Sequence, residues 1–223
     1  MRSEKGFTVV ELLVAMGIIG VVMAGIYSAY YSQQRSYVVQ EQVAEMQQNL
    51  RGAMYFMAKE IRMAGCNPTG AADAGIVTAE ANTINFTMDL WGQDIDDPPN
   101  GTTTNANENI TYALADISPA GGDGILDIVR DTGAGQRVVA ENIDALDFVY
   151  LDGAGNVTAD PLQIRSVQVT LVARTGKADQ GYRDTTSYTN LQGTEILAPP
   201  NDSVRRKQLA THIKCRNLGL LQE

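Results

Sequence analysis

The chain carries a long apolar run behind a short polar leader. From Phe7 to Tyr31 there are 25 residues, and Glu11 is the only charged one among them. About 20 apolar residues cross a bilayer as a helix, so this run is long enough to span a membrane. In a secretory signal peptide the small residue of the cleavage site follows the apolar core, whereas here Gly6 precedes it. We therefore predict a membrane-spanning helix and not an ordinary signal peptide.

The helical pattern continues beyond this run as an amphipathic segment. Apolar residues recur at steps of three and four, which is typical of a helix with one buried face. We expect this stripe to be the face on which the following domain packs, and Gly65 and Pro68 to end the helix. The stripe consists of Val39, Val43, Met46, Leu50, Met54, Met57, Ile61 and Ala64.

Further along, the period changes from helical to alternating, which predicts half-buried strands. Turn residues at 121–124 and 152–156 separate some of the apolar sets. We predict an α+β fold, in which a long N-terminal helix is followed by one antiparallel β-rich globular domain. The alternating sets are Ile84–Leu90, Ile110–Leu114, Leu146–Tyr150 and Val167–Ala173, with a last strand at Ile213 and Cys215.

The charges indicate how the chain is oriented and which partners it excludes. The formal net charge is −9, and because the leader contributes +1 through Arg2, Glu4 and Lys5, the remainder carries about −10. An acidic surface is unsuited to phosphate, so nucleic acid is not expected as a partner. A basic leader, with no basic cluster just after Tyr31, predicts a cytoplasmic N terminus.

Glu11 is unusual because a carboxylate within a membrane segment is costly and suggests a functional site with a partner. If the chain is cut between Gly6 and Phe7, the new α-amino group of Phe7 is a partner for Glu11, within one chain or between neighbouring subunits. The alternative is a carboxylate that reaches the membrane interface or becomes protonated.

The residues Lys5-Gly6-Phe7-Thr8-Val9-Val10-Glu11 resemble the type IV prepilin signature. The resemblance implies that a prepilin peptidase cuts after Gly6, that Phe7 becomes N-methylated, and that Phe7 and Glu11 act in subunit assembly. Main pilus subunits often carry a Pro later in the apolar run, and this chain has none there. The implied organisation is a leader at 1–6, a transmembrane half-helix at 7–31, an amphipathic half-helix at 32–65 and a β-rich domain, outside the inner membrane, at 66–223.

A weaker resemblance, to PilW-type minor pilins, extends along the chain. It rests on Glu60–Gly65, Glu141–Ile143, Phe148–Asp152, Arg165–Thr175 and Ile213–Asn217. It implies a low-abundance subunit near the tip of a type IV pilus or in its initiation complex, whose partners are other pilins. The J-type pseudopilin of type II secretion has a similar layout, so a secretion pseudopilus remains the alternative.

Two cysteines, Cys66 and Cys215, lie in the part expected to be exported. An oxidising periplasm permits a disulfide between them, and two free thiols are the alternative. The pair, together with the single histidine His212, lacks the spacing of a metal site.

No pattern in the chain indicates an enzyme or a small-molecule substrate. A catalytic triad would have to use His212, which falls in a predicted terminal strand. Neither a phosphate-binding loop nor a dinucleotide fingerprint occurs in the context that it requires. We therefore expect a structural protein that needs no cofactor, with calcium as the one open possibility.

The calcium hypothesis concerns Asp94, Asp96 and Asp97, because calcium is bound by several hard oxygen ligands from flexible loops. Solvated acids in a turn are the alternative. The stretch Thr102–Asn109 is expected to be a mobile surface loop. An adhesin or calcium-dependent binding module would use these loops, whereas a plain anchored periplasmic protein would use neither them nor Glu11.

Basic residues gather late in this acidic chain. Docking onto an acidic neighbour and protection of an edge strand explain them equally well. They are Arg205, Arg206, Lys207, Lys214 and Arg216.

Overall fold

The computed structural model describes residues 6–92, 97–117 and 124–219. The chain divides into two compact units, Met1–Gln42 and Val43–Glu223. One helix, α1, occupies Val9–Ile61 and contributes to both units. The first half of this helix is long and apolar enough to cross a membrane, and none of its apolar window is buried.

Both ends of α1 are set by individual residues. The helix begins at Val9, two residues later than the apolar run, because Thr8 takes the capping position. It ends at Ile61, three residues before the end predicted from the stripe, and turns follow as far as Gly65. Gly65 has a φ of 76°, and a Cβ at this position would lie 2.5 Å from Leu218 Cδ2, so a glycine is required there.

Seven strands of the second unit form one antiparallel sheet, in the order β1-β2-β3-β4-β5-β6-β9. A separate pair, β7 and β8, is also antiparallel. The strands are β1 Ile76–Ala79, β2 Thr83–Thr87, β3 Asn109–Ala115, β4 Leu126–Asp131, β5 Arg137–Leu151, β6 Ser166–Arg174, β7 Tyr188–Thr189, β8 Glu195–Leu197 and β9 Arg206–Lys214. The α+β prediction is confirmed: a long apolar N-terminal helix is followed by an antiparallel sheet domain.

The second half of α1 packs its apolar stripe into the core of this domain. Six of the eight predicted stripe residues are buried, from Met46 to Ala64, and Val43 packs against the same cluster. They share one hydrophobic cluster with inward-facing sheet residues such as Phe86, Tyr112 and Phe148. Burying each large apolar side chain contributes roughly 1.5–3 kcal/mol, so the stripe anchors this part of the helix to the sheet.

The sequence pattern found the regular strands and missed the irregular ones. Strands β2, β3, β6 and β9 overlap the predicted sets, and β5 extends far beyond Leu146–Tyr150. Asn142, with a φ of 61°, interrupts the alternation of β5, and the register shifts between Ile143 and Ala145. Strand β4 is also irregular, because the adjacent Ile128 and Val129 are both buried. Such bulges remove the two-residue period on which the prediction depends.

Candidate assembly site

Thr8 and Glu11 form a capping box at the start of α1. The Glu11 backbone N–H donates to Thr8 Oγ1 at 3.2 Å, and the Thr8 backbone N–H donates to Glu11 Oε2 at 2.9 Å. The Thr8 hydroxyl donates to the same Oε2, also at 2.9 Å. Two amide groups that would lack partners at a helix N terminus are thereby satisfied reciprocally. The sequence interpretation gave Glu11 an assembly role and did not anticipate this local one.

The capping box uses only one oxygen of the Glu11 carboxylate. Within residues 6–92, 97–117 and 124–219, Glu11 Oε1 has no hydrogen-bond partner, and the side chain is exposed. The carboxylate is therefore held in a fixed position by Thr8 while Oε1 stays available as an acceptor. A cationic donor from outside the chain, such as an amino group, fits that remaining oxygen chemically.

The predicted cleavage site precedes the helix in an accessible segment. Gly6, Phe7 and Thr8 are not helical, and the Phe7 side chain is 88 % exposed. A Cβ at Gly6 would meet no atom within 4 Å. A side chain at this position would therefore not disturb the rest of the chain, whatever its effect on a peptidase.

The apolar surface around this site extends along the first unit. Residues 6–38 are all exposed, and they include 17 of the large exposed apolar residues from Val9 to Val38. Gly17, Gly20 and Gly25 each have open space around a built Cβ, and such small residues allow helices to approach closely in a membrane. An apolar surface of this size is typical of a membrane or protein interface.

The two cysteines lie on neighbouring segments, but the disulfide is not shown. Cys66 follows the end of α1 and Cys215 follows β9, and both are free thiols in the structure. The segments touch, because Asn217 Nδ2 donates to the Met63 carbonyl at 3.3 Å. The bond between Cys66 and Cys215 therefore stays a prediction.

The calcium prediction gains no support. Asp94 and Asp96 lie outside the described residues, whereas Asp97 lies within them. In the part of the chain that the structure describes, no group of three or more His, Cys, Asp or Glu side chains could hold a metal ion. The carboxylates that the sequence reasoning missed here are Asp89 and Glu108, which are both fully buried. Their position at the ends of apolar strands was a signal that could have singled them out.

Two of the basic residues that gather late in the chain, Arg205 and Arg206, form ion pairs within the domain. Arg205 donates to Asp179 at 2.9 and 3.0 Å, and the Arg206 side chain is only 4 % exposed. Arg206 pairs with Asp144, Asp184 and Asp202. Arg206 is therefore too buried to serve in a docking patch, and Arg205 is already paired within the domain, whereas docking by the remaining basic residues stays a prediction.

The remaining members of that patch accompany an edge strand. Lys207 and Lys214 lie on β9, at one edge of the seven-stranded sheet, and Arg216 follows it. Exposed lysines on an edge discourage pairing with other strands, which favours the edge-protection interpretation. His212 is an exposed residue of the same strand, opposite Gln168.

Comparison with known proteins places a motif at the N-terminal site. Residues 1–27 match the model of the prokaryotic N-terminal methylation motif. Among solved structures, the chain is similar to the type IV-like pilin TTHA1219 from Thermus thermophilus, with 13% identity and a TM-score of 0.49 over 77% of this chain and 95% of that one. A search of curated proteins found no match.

Proposed function

Because residues 1–27 match the prokaryotic N-terminal methylation motif, we propose that the chain is a type IV pilin-like protein and, within that class, a minor pilin. In this proposal it is a structural subunit, not an enzyme, that takes part in pilus initiation and assembly and lies at or near the tip. A prepilin peptidase cuts between Gly6 and Phe7, and Phe7 is N-methylated. The segments that resemble PilW-type minor pilins support the minor class, and partners are other major and minor pilins.

The observation that carries the proposal is that only one oxygen of the Glu11 carboxylate accepts hydrogen bonds within the described residues. Oε2 is held by Thr8, whereas Oε1 faces outward without a partner among the described residues. In a membrane an unpaired carboxylate is unfavourable, so a charged donor from a neighbouring subunit stabilises the assembled state. We assign this donor to the α-amino group of a neighbour's Phe7.

The proposal also assigns a location before assembly. The apolar half of α1 is stored in the inner membrane with its N terminus in the cytoplasm, and the β-rich domain lies on the outer side. On assembly the helix leaves the lipid for a helix-lined filament, and its exposed apolar surface is buried there. Residues 6–38 are all exposed in the structure, which supports this step.

Three variants separate the charge of Glu11 from its capping role. Glu11→Gln keeps a capping-box residue but removes the charge, since Gln is also found at this position of the motif. Thr8→Ala keeps the charge but removes the side-chain cap. Glu11→Ala removes both. We expect all three to insert into the membrane, and only Thr8→Ala to reach sheared filaments in amounts near wild type.

The measurement is the ratio of the variant in sheared filaments to that in the membrane fraction. Glu11→Gln in filaments at wild-type amounts would show that capping alone is needed and would refute the intersubunit pairing. Loss of secretion, with normal pili, on deletion of the gene would assign the subunit to a secretion pseudopilus instead.

A further inference from the structure

A polar cleft lies on the outer face of the sheet, far along the chain from the N-terminal motif. Its volume is about 480 Å³, which falls in the range of small-molecule sites. Strands β2, β3 and β4 form its floor, and the loop before β3 forms one wall. The cleft is lined by Asn85, Thr103, Thr104, Asn105, Asn109, Thr111, Asp131, Thr132 and Gly133.

The floor is a row of polar side chains in register across three strands. Asn85 pairs with Thr111, and Thr111 pairs with Asp131. Their chain neighbours Phe86 and Tyr112 are fully buried on the opposite face. Because side chains alternate between the two faces of a sheet, the buried neighbours fix this row on the outer face.

Two buried carboxylates hold the wall. Glu108 Oε1 accepts the backbone N–H groups of Leu90 and Trp91 at 2.7 and 3.1 Å, and its Oε2 accepts that of Asn105 at 3.1 Å. Asp89 accepts the backbone N–H groups of Asn100 and Gly101 at 3.2 and 3.1 Å. Burying a carboxylate is costly unless hydrogen bonds compensate it, so both side chains are committed to the loop.

The loop is also tied to the helix. Arg130 Nη2 donates to Asn107 Oδ1 at 3.1 Å and, from the same guanidinium, to Glu60 of α1. The backbone and side chains of this loop are therefore held at several points, whereas the expected mobility of Thr102–Asn109 stays a prediction. A wall fixed in this way can present its side chains in a defined arrangement.

The cleft keeps unused hydrogen-bonding groups. Asn85 Nδ2 donates to Asn109 Oδ1 at 2.6 Å and to Thr111 Oγ1 at 2.8 Å. Partners are lacking, among the described residues, for Asn85 Oδ1, Asn109 Nδ2, Asp131 Oδ2 and the Thr103 hydroxyl. The cleft therefore offers both acceptors and donors, which matches a ligand that presents several hydroxyl groups.

The chemistry of the lining argues against three other ligand classes. An anionic ligand would meet Asp131 and no cationic side chain. An apolar ligand would leave amides and hydroxyls of the lining without hydrogen-bond partners, which is unfavourable. Calcium takes six to eight oxygen ligands and usually more than one carboxylate, whereas among the described residues Asp131 is the one acid that lines the cleft. We propose that the cleft binds a neutral carbohydrate through its hydroxyl groups.

The test uses the full chain in phosphatidylcholine nanodiscs, since sugar-headed detergents would compete. The probe is an array of neutral oligosaccharides, each printed beside its sialylated counterpart. The variant Thr103→Val/Thr111→Val removes two hydroxyls while keeping β-branched side chains. Its matched control is Thr83→Val/Thr78→Val, at positions of β2 and β1 that do not line the cleft.

We expect the wild type to bind at least one neutral probe. It should bind the sialylated counterpart of that probe at least tenfold more weakly. The cleft variant should bind that neutral probe about tenfold more weakly than the wild type does, or weaker still. The control should bind it as the wild type does. Binding of no neutral probe, equal binding by the cleft variant, or preference for sialylated probes would each overturn the proposal. None of these outcomes depends on filament assembly, so the two proposals fail separately.

Discussion

Glu60, in the last turn of α1, forms a two-point ion pair with Arg130 of β4. Arg130 Nε donates to Glu60 Oε2 and Arg130 Nη2 donates to Glu60 Oε1, both at 2.9 Å. Tyr112 of β3 donates its hydroxyl to the same Oε2, and burial together with Glu60 raises the pKa of that phenol. This group connects the end of the helix with two central strands.

Replacing Glu60 should destabilise the domain strongly. The side chains of Glu60 and Arg130 are only 17% and 15% exposed, so Glu60→Ala leaves a largely buried guanidinium unpaired. We expect the free energy of unfolding to fall by about 3 kcal/mol. Denaturant unfolding, followed by near-ultraviolet circular dichroism, measures it.

A double-mutant cycle with Arg130→Met shows whether the effect belongs to the pair. The double variant should be less destabilised than the sum of the single variants. Arg137→Met, at an exposed position of β5, is the control. Additive effects would contradict a direct coupling between Glu60 and Arg130.

The pairing of Asp202 with Arg206 predicts a loss of stability in acid. Arg206 donates to both Asp202 oxygens at 2.7 Å, and this pairing lowers the pKa of the carboxyl to about 2. Because the folded pKa lies below the unfolded value of about 3.9, the pair stabilises the folded state above that value. This contribution is lost as the pH falls from about 4 to about 2.

Asp202→Asn should therefore lower the stability at neutral pH and flatten its dependence on pH between 4 and 2. Unfolding measured across this range gives both quantities. Asp160→Asn, in the exposed loop before β6, is the control. An unchanged slope in Asp202→Asn would mean that other carboxyls account for the acid sensitivity.

Cys66 and Cys215 are predicted to form a disulfide after export. The bond would close a loop that contains most of the domain. In the chain-entropy model, such a bond raises the free energy of unfolding by about 4–5 kcal/mol at most. Burial raises the pKa of the Cys215 thiol to about 12, and burial followed by the charge of Asp89 raises that of Cys66. Thiols react as thiolates, so we expect the bond to form before the domain closes over Cys215.

Alkylation of the denatured protein followed by intact-mass analysis tests the bond. Protein from the membrane fraction of an oxidising host should take up no alkyl group until it is reduced. The variant Cys66→Ser should take up one group and unfold at lower denaturant concentration. Two alkyl groups on unreduced wild type would show that the thiols stay free.

Gly6→Leu should block processing. Among the described residues beyond its chain neighbours, no atom lies within 4 Å of a Cβ at Gly6, so we expect the substitution not to act through the fold. The proposed peptidase accepts only a small residue before the cut, and the full leader should remain. Gly17→Leu, also in open space but within the apolar run, is the control for insertion. Normal mature protein from Gly6→Leu would refute the leader assignment.

Local patterns predicted the helix, its buried stripe and the N-terminal motif, because each is encoded in contiguous residues. The stripe from Met46 to Ile61 is visible as a 3.6-residue period. By contrast, the partners of Arg206 come from Asp144, Asp184 and Asp202. Asp202 lies only four residues from Arg206, but no local period joins Asp144 and Asp184 to them, so the whole network could not be predicted.

The polar cleft was missed for a related reason. Asn85, Thr111 and Asp131 meet only through the register of three strands, and one of these, β4, has no regular alternation. The composition of Thr102–Asn109 predicts a mobile loop, because composition does not reveal the hydrogen bonds by which Asp89 and Glu108 hold the backbone there. Polar residues predicted as solvated can thus be structural once a buried carboxylate organises them.

The most direct test of the central claim is intact-mass and N-terminal analysis of the protein from membranes and from sheared filaments. The account predicts a chain that begins at Phe7, is heavier by one methyl group, and occurs in the filament fraction. A chain that keeps Met1 to Gly6 in a host with an active prepilin peptidase, and that stays in the membrane, would contradict it.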